Sequence, residues 1–295
     1  MIERQAVRPA LAADDWDRLT EAPLPELHGE YPLSDAQVEG FWENGFIVLE
    51  EVLDRDEINA YGEAIRDVAM AHFRARRLAL SFGGAFLQQL NLRYCSDAVS
   101  RFVLSPRFGR IASRLLRTPA VRLYHEQALF KPPGGIDSHW HQDQFYFPFD
   151  DAFTMGLWMP LVDCSLDMGP LRFVAGSHKY GNLEGMSISE ESKRFFDDFA
   201  EREGLEVVQV PDLKAGDCSI HLGWTVHGAP ANRSNKMREA MTANYFPDGA
   251  RITDMSRSPD GLRFVGGLVP GQIANSVMNP IVYSETAAGT EGETK

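Results

Sequence analysis

The sequence predicts a mainly β domain with a helical layer, a jelly-roll barrel of the cupin type, and three observations lead there. From Ala120 onward, short segments rich in β-branched and aromatic residues recur, broken by Pro, Gly and Asp. Helix signals are sparse between them and concentrate instead before that point, from Ser34 to Arg117. Many short antiparallel strands behind a helical layer suit a barrel whose mouth can hold a metal and a small ligand.

Each element has a local reason. Residues 1–33, with proline, acids and little periodicity, read as an irregular leader laid over a surface. Ser34-Asp35-Ala36-Gln37 has the form of a capping box; Val38, Phe41 and Trp42 follow at helical spacing, and Gly45 closes the helix. Phe46 to Val52 reads as a strand. Asp54 with Glu57 opens a second helix whose Ile58, Tyr61, Ile65 and Val68 form one apolar stripe, a packing face. Ser105-Pro106 places a cap and a first-turn proline before a helix ending near Arg117. The expected helical part is 34–118 and the barrel core about 120–250, within one domain over 1–283. Its strands are Val121 to Lys131, Met155 to Val162, Leu171 to Val174, Glu206 to Val210, Cys218 to Leu222 and Arg238 to Phe246. A helix from Ser187 to about Arg202, capped by Ser187 with Glu190, is expected as a lid, and the small, polar tail from Ser284 to Lys295 is expected to be disordered.

Composition narrows the function classes. With 295 residues, 44% of them hydrophobic, the chain can bury a large core. A formal net charge of −13 repels phosphate backbones and anionic membranes at long range, so neither nucleic acid nor membrane is an expected partner. No apolar run approaches the ~20 residues of a membrane span, and Met-Ile-Glu-Arg-Gln is not a basic start before an apolar core. Cys95, Cys164 and Cys218 are odd in number and widely spaced, which argues against a disulfide frame and fits a cytoplasmic location.

The stretch Ser138 to Pro148, Ser-His-Trp-His-Gln-Asp-Gln-Phe-Tyr-Phe-Pro, is the candidate chemical centre. If it is extended, His141 and Asp143 share a face, so an imidazole and a carboxylate can share one metal ion. A second histidine would complete a two-His-one-carboxylate triad, the usual site of non-haem Fe(II) oxygenases. His28, His72, His125, His178 and His221 read as structural histidines. His139 shares the alternating face of His141 and is a rival. His227 differs in context: it follows an apolar strand, between Gly223-Trp224-Thr225-Val226 and Gly228, with Arg238 eleven residues on.

These pieces together resemble the phytanoyl-CoA dioxygenase family of Fe(II)- and 2-oxoglutarate-dependent oxygenases. The resemblance runs from about Phe41 to Phe246 through Lys131-Pro132-Pro133, Trp140-His141-Gln142-Asp143-Gln144, Gly176-Ser177-His178-Lys179, Gly216-Asp217, His227-Gly228 with Asn232, and Arg238 with Ala240. It implies a double-stranded β-helix with iron held by His141, Asp143 and His227, and Arg238 on the distal carboxylate of 2-oxoglutarate. It also implies that Gln127 and Trp158 line the cosubstrate pocket. A guanidinium suits that task because it is planar, always charged and able to form two parallel hydrogen bonds to a carboxylate.

The expected cofactors are therefore Fe(II), 2-oxoglutarate as cosubstrate and O2, and the expected reaction hydroxylates or otherwise oxidises an organic small molecule, releasing succinate and CO2. A cupin-like metal-binding module or a zinc hydrolase would use the same three ligands without needing Arg238. With 29 basic against 42 acidic residues, the substrate is expected to be a free small molecule and not a coenzyme A thioester. The one dense basic run, Arg74, Arg76 and Arg77, is already explained by a helix C-terminus.

Overall fold

The computed structural model describes residues 24–76, 80–81, 84–149, 153–183, 187–253 and 263–286. The leader through residue 23, Arg77, Glu184 and the tail from residue 287 lie outside the described residues.

The helical part begins as its caps dictate. Helix α1 (Asp35–Asn44) has the Ser34/Gln37 capping box and ends on Gly45, whose φ of 83° is the left-handed conformation that glycine adopts without strain. Strand β1 (Phe46–Leu49) is shorter than expected: the chain turns at Glu51, φ 52°, whose N–H donates to Asp217 Oδ1 at 2.8 Å. Helix α2 (Arg55–Arg76) buries Ile58, Tyr61, Ile65 and Val68 as its apolar stripe requires. Strand β2 (Leu87–Leu90) and helix α3 (Asp97–Val103) follow, then α4 (Pro106–Leu116), which has Pro106 in its first turn and Ser105 as its cap.

The remaining strands are β3 (Ala120–Lys131), β4 (Ser138–His141), β5 (Met155–Pro160), β6 (Arg172–Val174), β7 (Val207–Gln209), β8 (Cys218–Leu222), β9 (His227–Ala229), β10 (Arg238–Pro247) and β11 (Ile281–Ser284). They form two antiparallel sheets, one ordered β1-β8-β5-β10-β3-β11 with β2 also on β3, the other β4-β9-β6-β7. This is a jelly roll of two facing sheets, not a closed barrel.

Period-two alternation assigns the two faces of the large sheet. On β10, Met241, Ala243 and Tyr245 join the core shared with the helices, as do Met155, Leu157 and Met159 of β5 and Ile220 and Leu222 of β8. Burying each leucine, isoleucine or methionine among them contributes about 1.5–3 kcal/mol. The alternate residues, Arg238, Thr242 and Asn244 of β10, Trp158 of β5 and His221 of β8, turn toward one cavity between the sheets.

Two boundaries are corrected. Helix α5 (Glu190–Arg202) is capped by Ser189, with Ser192 in the reciprocal role; Ser187 and Glu190 do not cap it. It packs against β4: the Trp140 Nε1–H donates to Asp197 Oδ1 at 2.6 Å, and the Ser192 hydroxyl donates to the Trp140 carbonyl. Ser284, expected at the head of a disordered tail, pairs with Ala120 in β11, and the Glu285 N–H donates to the Pro119 carbonyl. No helix among the described residues is long and apolar enough to cross a membrane.

Candidate active site

Strand pairing brings the two histidines together. His141 and His227 are direct partners in the β4–β9 ladder, and their rings lie 4.2 Å apart. Directly opposed residues in an antiparallel pair have Cβ atoms about 4.5–5.5 Å apart, so register alone makes His227 the neighbour of His141. Each ring is locked by its far nitrogen: His141 Nδ1–H donates to the His139 carbonyl at 2.8 Å, and His227 Nδ1–H to the Thr225 carbonyl at 3.0 Å. That tautomer leaves both Nε2 lone pairs pointing inward, the arrangement a metal needs.

Asp143 reaches the same point, though not by strand alternation. β4 ends at His141, and Asp143 opens the short 3-10 turn Asp143–Tyr146. The corner between them is held by buried Gln142, whose amide donates to the Gly181 and Trp224 carbonyls at 2.7 and 2.6 Å. Asp143 Oδ1 then lies 3.5 Å from His141 Nε2 and 3.7 Å from His227 Nε2. One ligand atom from each of His141, Asp143 and His227 falls within 4.8 Å of the others. His139, the sequence rival, is excluded by a register shift between Ser138 and His141 and pairs instead with Glu190 of α5 at 3.1 Å.

The electrostatics suit ligation. Burial, with His221 and His141 beside it, holds His227 well below the ordinary histidine range, so its imidazole is neutral. Burial pushes the Asp143 carboxyl up, but the histidines around it, His227 foremost, reverse this and hold it well below the usual carboxylate range. Neutral imidazoles and an ionised carboxylate are the deprotonated forms a metal binds.

A cavity of about 330 Å³ opens beside the three ligands, and Arg238, Gln127 and Trp158 all line it. Gln127, Thr242 and Trp158 form one cross-strand row over β3, β10 and β5, and Arg238 lies at the start of β10 on the same face. Arg238 is 1% exposed, donates to the Gly169 carbonyl at 2.6 Å and leaves its Nε without a partner. Among the described residues no carboxylate pairs with it, and Trp158 Nε1 is likewise buried and unpartnered. Burial pulls Arg238 down to about 10, which leaves it charged near neutral pH. A buried, unpaired guanidinium costs several kcal/mol unless an anion fills the space before it. A planar carboxylate is the group that the Arg238 guanidinium would pair with, and the two-imidazole, one-carboxylate donor set fits Fe(II).

Sequence reasoning passed over His221 and His125, both read as structural. His221 lines the cavity with its Nε2 3.3 Å from Asp143 Oδ2, which leaves Oδ1 toward the two ligand histidines. His125 and Tyr124 both reach the cavity although adjacent in β3. The reason is a bulge: Tyr245 pairs with Leu123 and Asn244 with His125, so Tyr124 has no partner across the ladder and alternation breaks there. Only the alternation of β8 carried a signal for His221; the bulge left none.

A model of the phytanoyl-CoA dioxygenase (PhyH) family matches residues 41–240. A probable alpha-ketoglutarate-dependent hypophosphite dioxygenase of Stutzerimonas stutzeri is 28% identical over 157 residues, 50% of this chain and 53% of that protein. A phytanoyl-CoA dioxygenase of Arabidopsis thaliana is 29% identical over 60% of each chain, so the chain spans about half to three-fifths of the length of these relatives. An ectoine dioxygenase of Halomonas elongata is 26% identical over 74% of this chain and 71% of its own. Among solved structures, the non-heme alpha ketoglutarate dependent carbocyclase SnoK from nogalamycin biosynthesis superposes with a TM-score of 0.72 at 22% identity, covering 88% of this chain and 99% of its own. EctD from S. alaskensis, with 2-oxoglutarate and 5-hydroxyectoine, gives 0.61 at 20% identity over 92% of each chain. Both likenesses concern the fold.

Proposed function

The chain belongs to the phytanoyl-CoA dioxygenase family, and on that premise we propose that it is an Fe(II)- and 2-oxoglutarate-dependent dioxygenase that hydroxylates or otherwise oxidises an organic small molecule. Arg238 is the observation that carries this reading. A buried cation with an orphaned Nε and no described carboxylate partner shares one cavity with the three convergent ligand atoms. A binding module or a zinc hydrolase would have no use for such a residue; a 2-oxo acid chelated at a metal and clamped at its far end accounts for it.

In this reading His141, Asp143 and His227 hold the iron. The Nδ1–H donations to the His139 and Thr225 carbonyls keep both rings in the ligating tautomer. His221 engages Asp143 Oδ2 and so presents Oδ1 as a single donor. Arg238 binds the distal carboxylate, while Gln127 and Trp158 wall the space between clamp and metal. Fe(II) with 2-oxoglutarate and dioxygen supplies the oxidising chemistry, with succinate and CO2 released. That no disulfide joins Cys95, Cys164 and Cys218 among the described residues supports a reducing, cytoplasmic setting, and the charge balance supports a free small-molecule substrate over a thioester.

The test is stoichiometric. Protein given Fe(II), 2-oxoglutarate and oxygen should release succinate and consume oxygen in equal amounts, and Arg238→Met should abolish this at low 2-oxoglutarate. A wild type that makes no succinate but hydrolyses esters with Zn(II) bound would replace the reading by the hydrolase.

A further inference from the structure

The cavity has two chemically different ends. One holds Arg238, Trp158, Gln127 and Thr242; at the other, where β3 and β10 pair His125 with Asn244, the wall is Tyr124, Phe147 and Phe264. Tyr124 is the hub of that wall, with ring centroids 4.9 Å from Phe147, 5.1 Å from Phe149 and 5.6 Å from Phe264, all edge-on. Edge-on rings build a stiff apolar surface that accepts a flat or branched hydrocarbon body.

Within this wall, the Tyr124 hydroxyl is buried without a hydrogen-bond partner. A buried polar group is ordinarily satisfied, and an unsatisfied one costs free energy unless something else completes it. Burial pushes the phenol up from its ordinary value, so it remains a neutral donor. The neighbouring His125 is drawn down to about 4 by burial, hence uncharged, and faces Asn244 at 3.3 Å.

Charge decides between ligand classes. Among the described lining residues the one carboxylate is Asp143, already engaged by three histidines, so an ammonium would find no counter-ion. Arg263, exposed, lies over the Phe264 ring at 4.7 Å and would repel a cation entering there. An anion at the aromatic end would meet neutral groups apart from Arg263, whose exposed, solvated guanidinium offers little compensation for a buried charge, in a chain of net charge −13. Burying an unpaired charge of either sign is costly.

We infer that the primary substrate is an uncharged molecule with a compact ring or branched hydrocarbon body, held against Tyr124, Phe147 and Phe264 and hydrogen-bonded through one acceptor oxygen to the Tyr124 hydroxyl. The inference rests on the reading above in one respect, that the Arg238 end belongs to the cosubstrate. At about 330 Å³ the cavity is near the lower limit of ~300–1,000 Å³ for small-ligand sites, which favours a compact body once a 2-oxo acid shares it.

The test uses three probes of one skeleton: cyclohexyl methyl ketone, cyclohexanecarboxylate and cyclohexyltrimethylammonium. Their dissociation constants are measured by ligand-observed NMR on metal-free Arg238→Met protein, so that no probe can use the cosubstrate clamp and no iron chemistry enters. The ketone should bind at least tenfold more tightly than either charged probe. Adding Tyr124→Phe should weaken the ketone about three- to tenfold, the worth of one hydrogen bond, and leave the ammonium probe, which has no acceptor, unchanged. It should not lower the unliganded melting temperature, because the hydroxyl has no partner to lose. A charged probe that binds as tightly as the ketone, a ketone that does not bind, or a ketone indifferent to Tyr124→Phe would overturn the inference. Succinate release by the wild type is a separate readout, so failure here is distinguishable from failure of the dioxygenase reading.

Discussion

Arg238→Met should move stability and cosubstrate affinity in opposite directions. The guanidinium is buried, and its fall from the ordinary 12.5 to about 10 corresponds to roughly 3 kcal/mol of unfavourable burial, at ~1.4 kcal/mol per tenfold change. Removing it forfeits the hydrogen bond to the Gly169 carbonyl, worth about 1 kcal/mol. Methionine fills most of the volume, so the unliganded protein should gain about 2 kcal/mol, or roughly 5 °C in melting temperature. Affinity for 2-oxoglutarate should fall instead. Two charge-assisted bonds at about 1.5–3 kcal/mol each make the loss at least a hundredfold. Thermal melting without ligand and anaerobic 2-oxoglutarate titration of the Fe(II)-loaded protein read the two effects separately. Unchanged affinity together with a lower melting temperature would refute the reasoning, since Arg238 would then be a structural strut.

Three further outcomes follow from the same geometry. His221→Phe, which removes the donor to Asp143 Oδ2, should raise the Fe(II) dissociation constant about 10–100-fold by chelator competition; no change would remove His221 from the site. Gly228→Ala places a Cβ 2.7 Å from the Ser138 carbonyl oxygen, so β9 must shift from β4, and iron affinity should drop more than global stability does. An intact site in a high-resolution structure of that variant would contradict this. The wild type should lose stability as pH falls from about 6.5 to 4, because burial holds His125 near 4 and the unfolded chain takes up the proton first. That histidine accounts for about 3 kcal/mol of the loss, and a denaturation series on His125→Gln should show a correspondingly shallower slope.

The helical layer and the large sheet were legible because each rests on local signals. The capping box at Ser34, the stripe Ile58-Tyr61-Ile65-Val68 and the alternation of Arg238 to Phe246 are all visible within one element. The missed elements lacked such signals. β2 is Leu-Gln-Gln-Leu, with no β-branched residue, and α3 is only seven residues long. β11 is a strand because β3 supplies a partner edge. At the site, His141, Asp143 and His227 are legible in motif order, but their shared direction does not come from an extended run: a bulge and a 3-10 turn set it. His221, Tyr124 and His125 depend on cross-strand register and on the bulge opposite Asn244, which pairing creates and no single segment displays.

The central claim is that His141, Asp143 and His227 hold iron beside a chelated 2-oxo acid. Its most direct measurement is an anaerobic titration of the metal-free protein with Fe(II) and then 2-oxoglutarate, followed by the weak visible charge-transfer band of the chelate. Wild type and His139→Ala should develop the band at one equivalent of iron, while His141→Ala, Asp143→Ala and His227→Ala should not bind iron tightly enough to show it. A band that survives His141→Ala and is lost in His139→Ala, or that never forms in the wild type, would contradict the account.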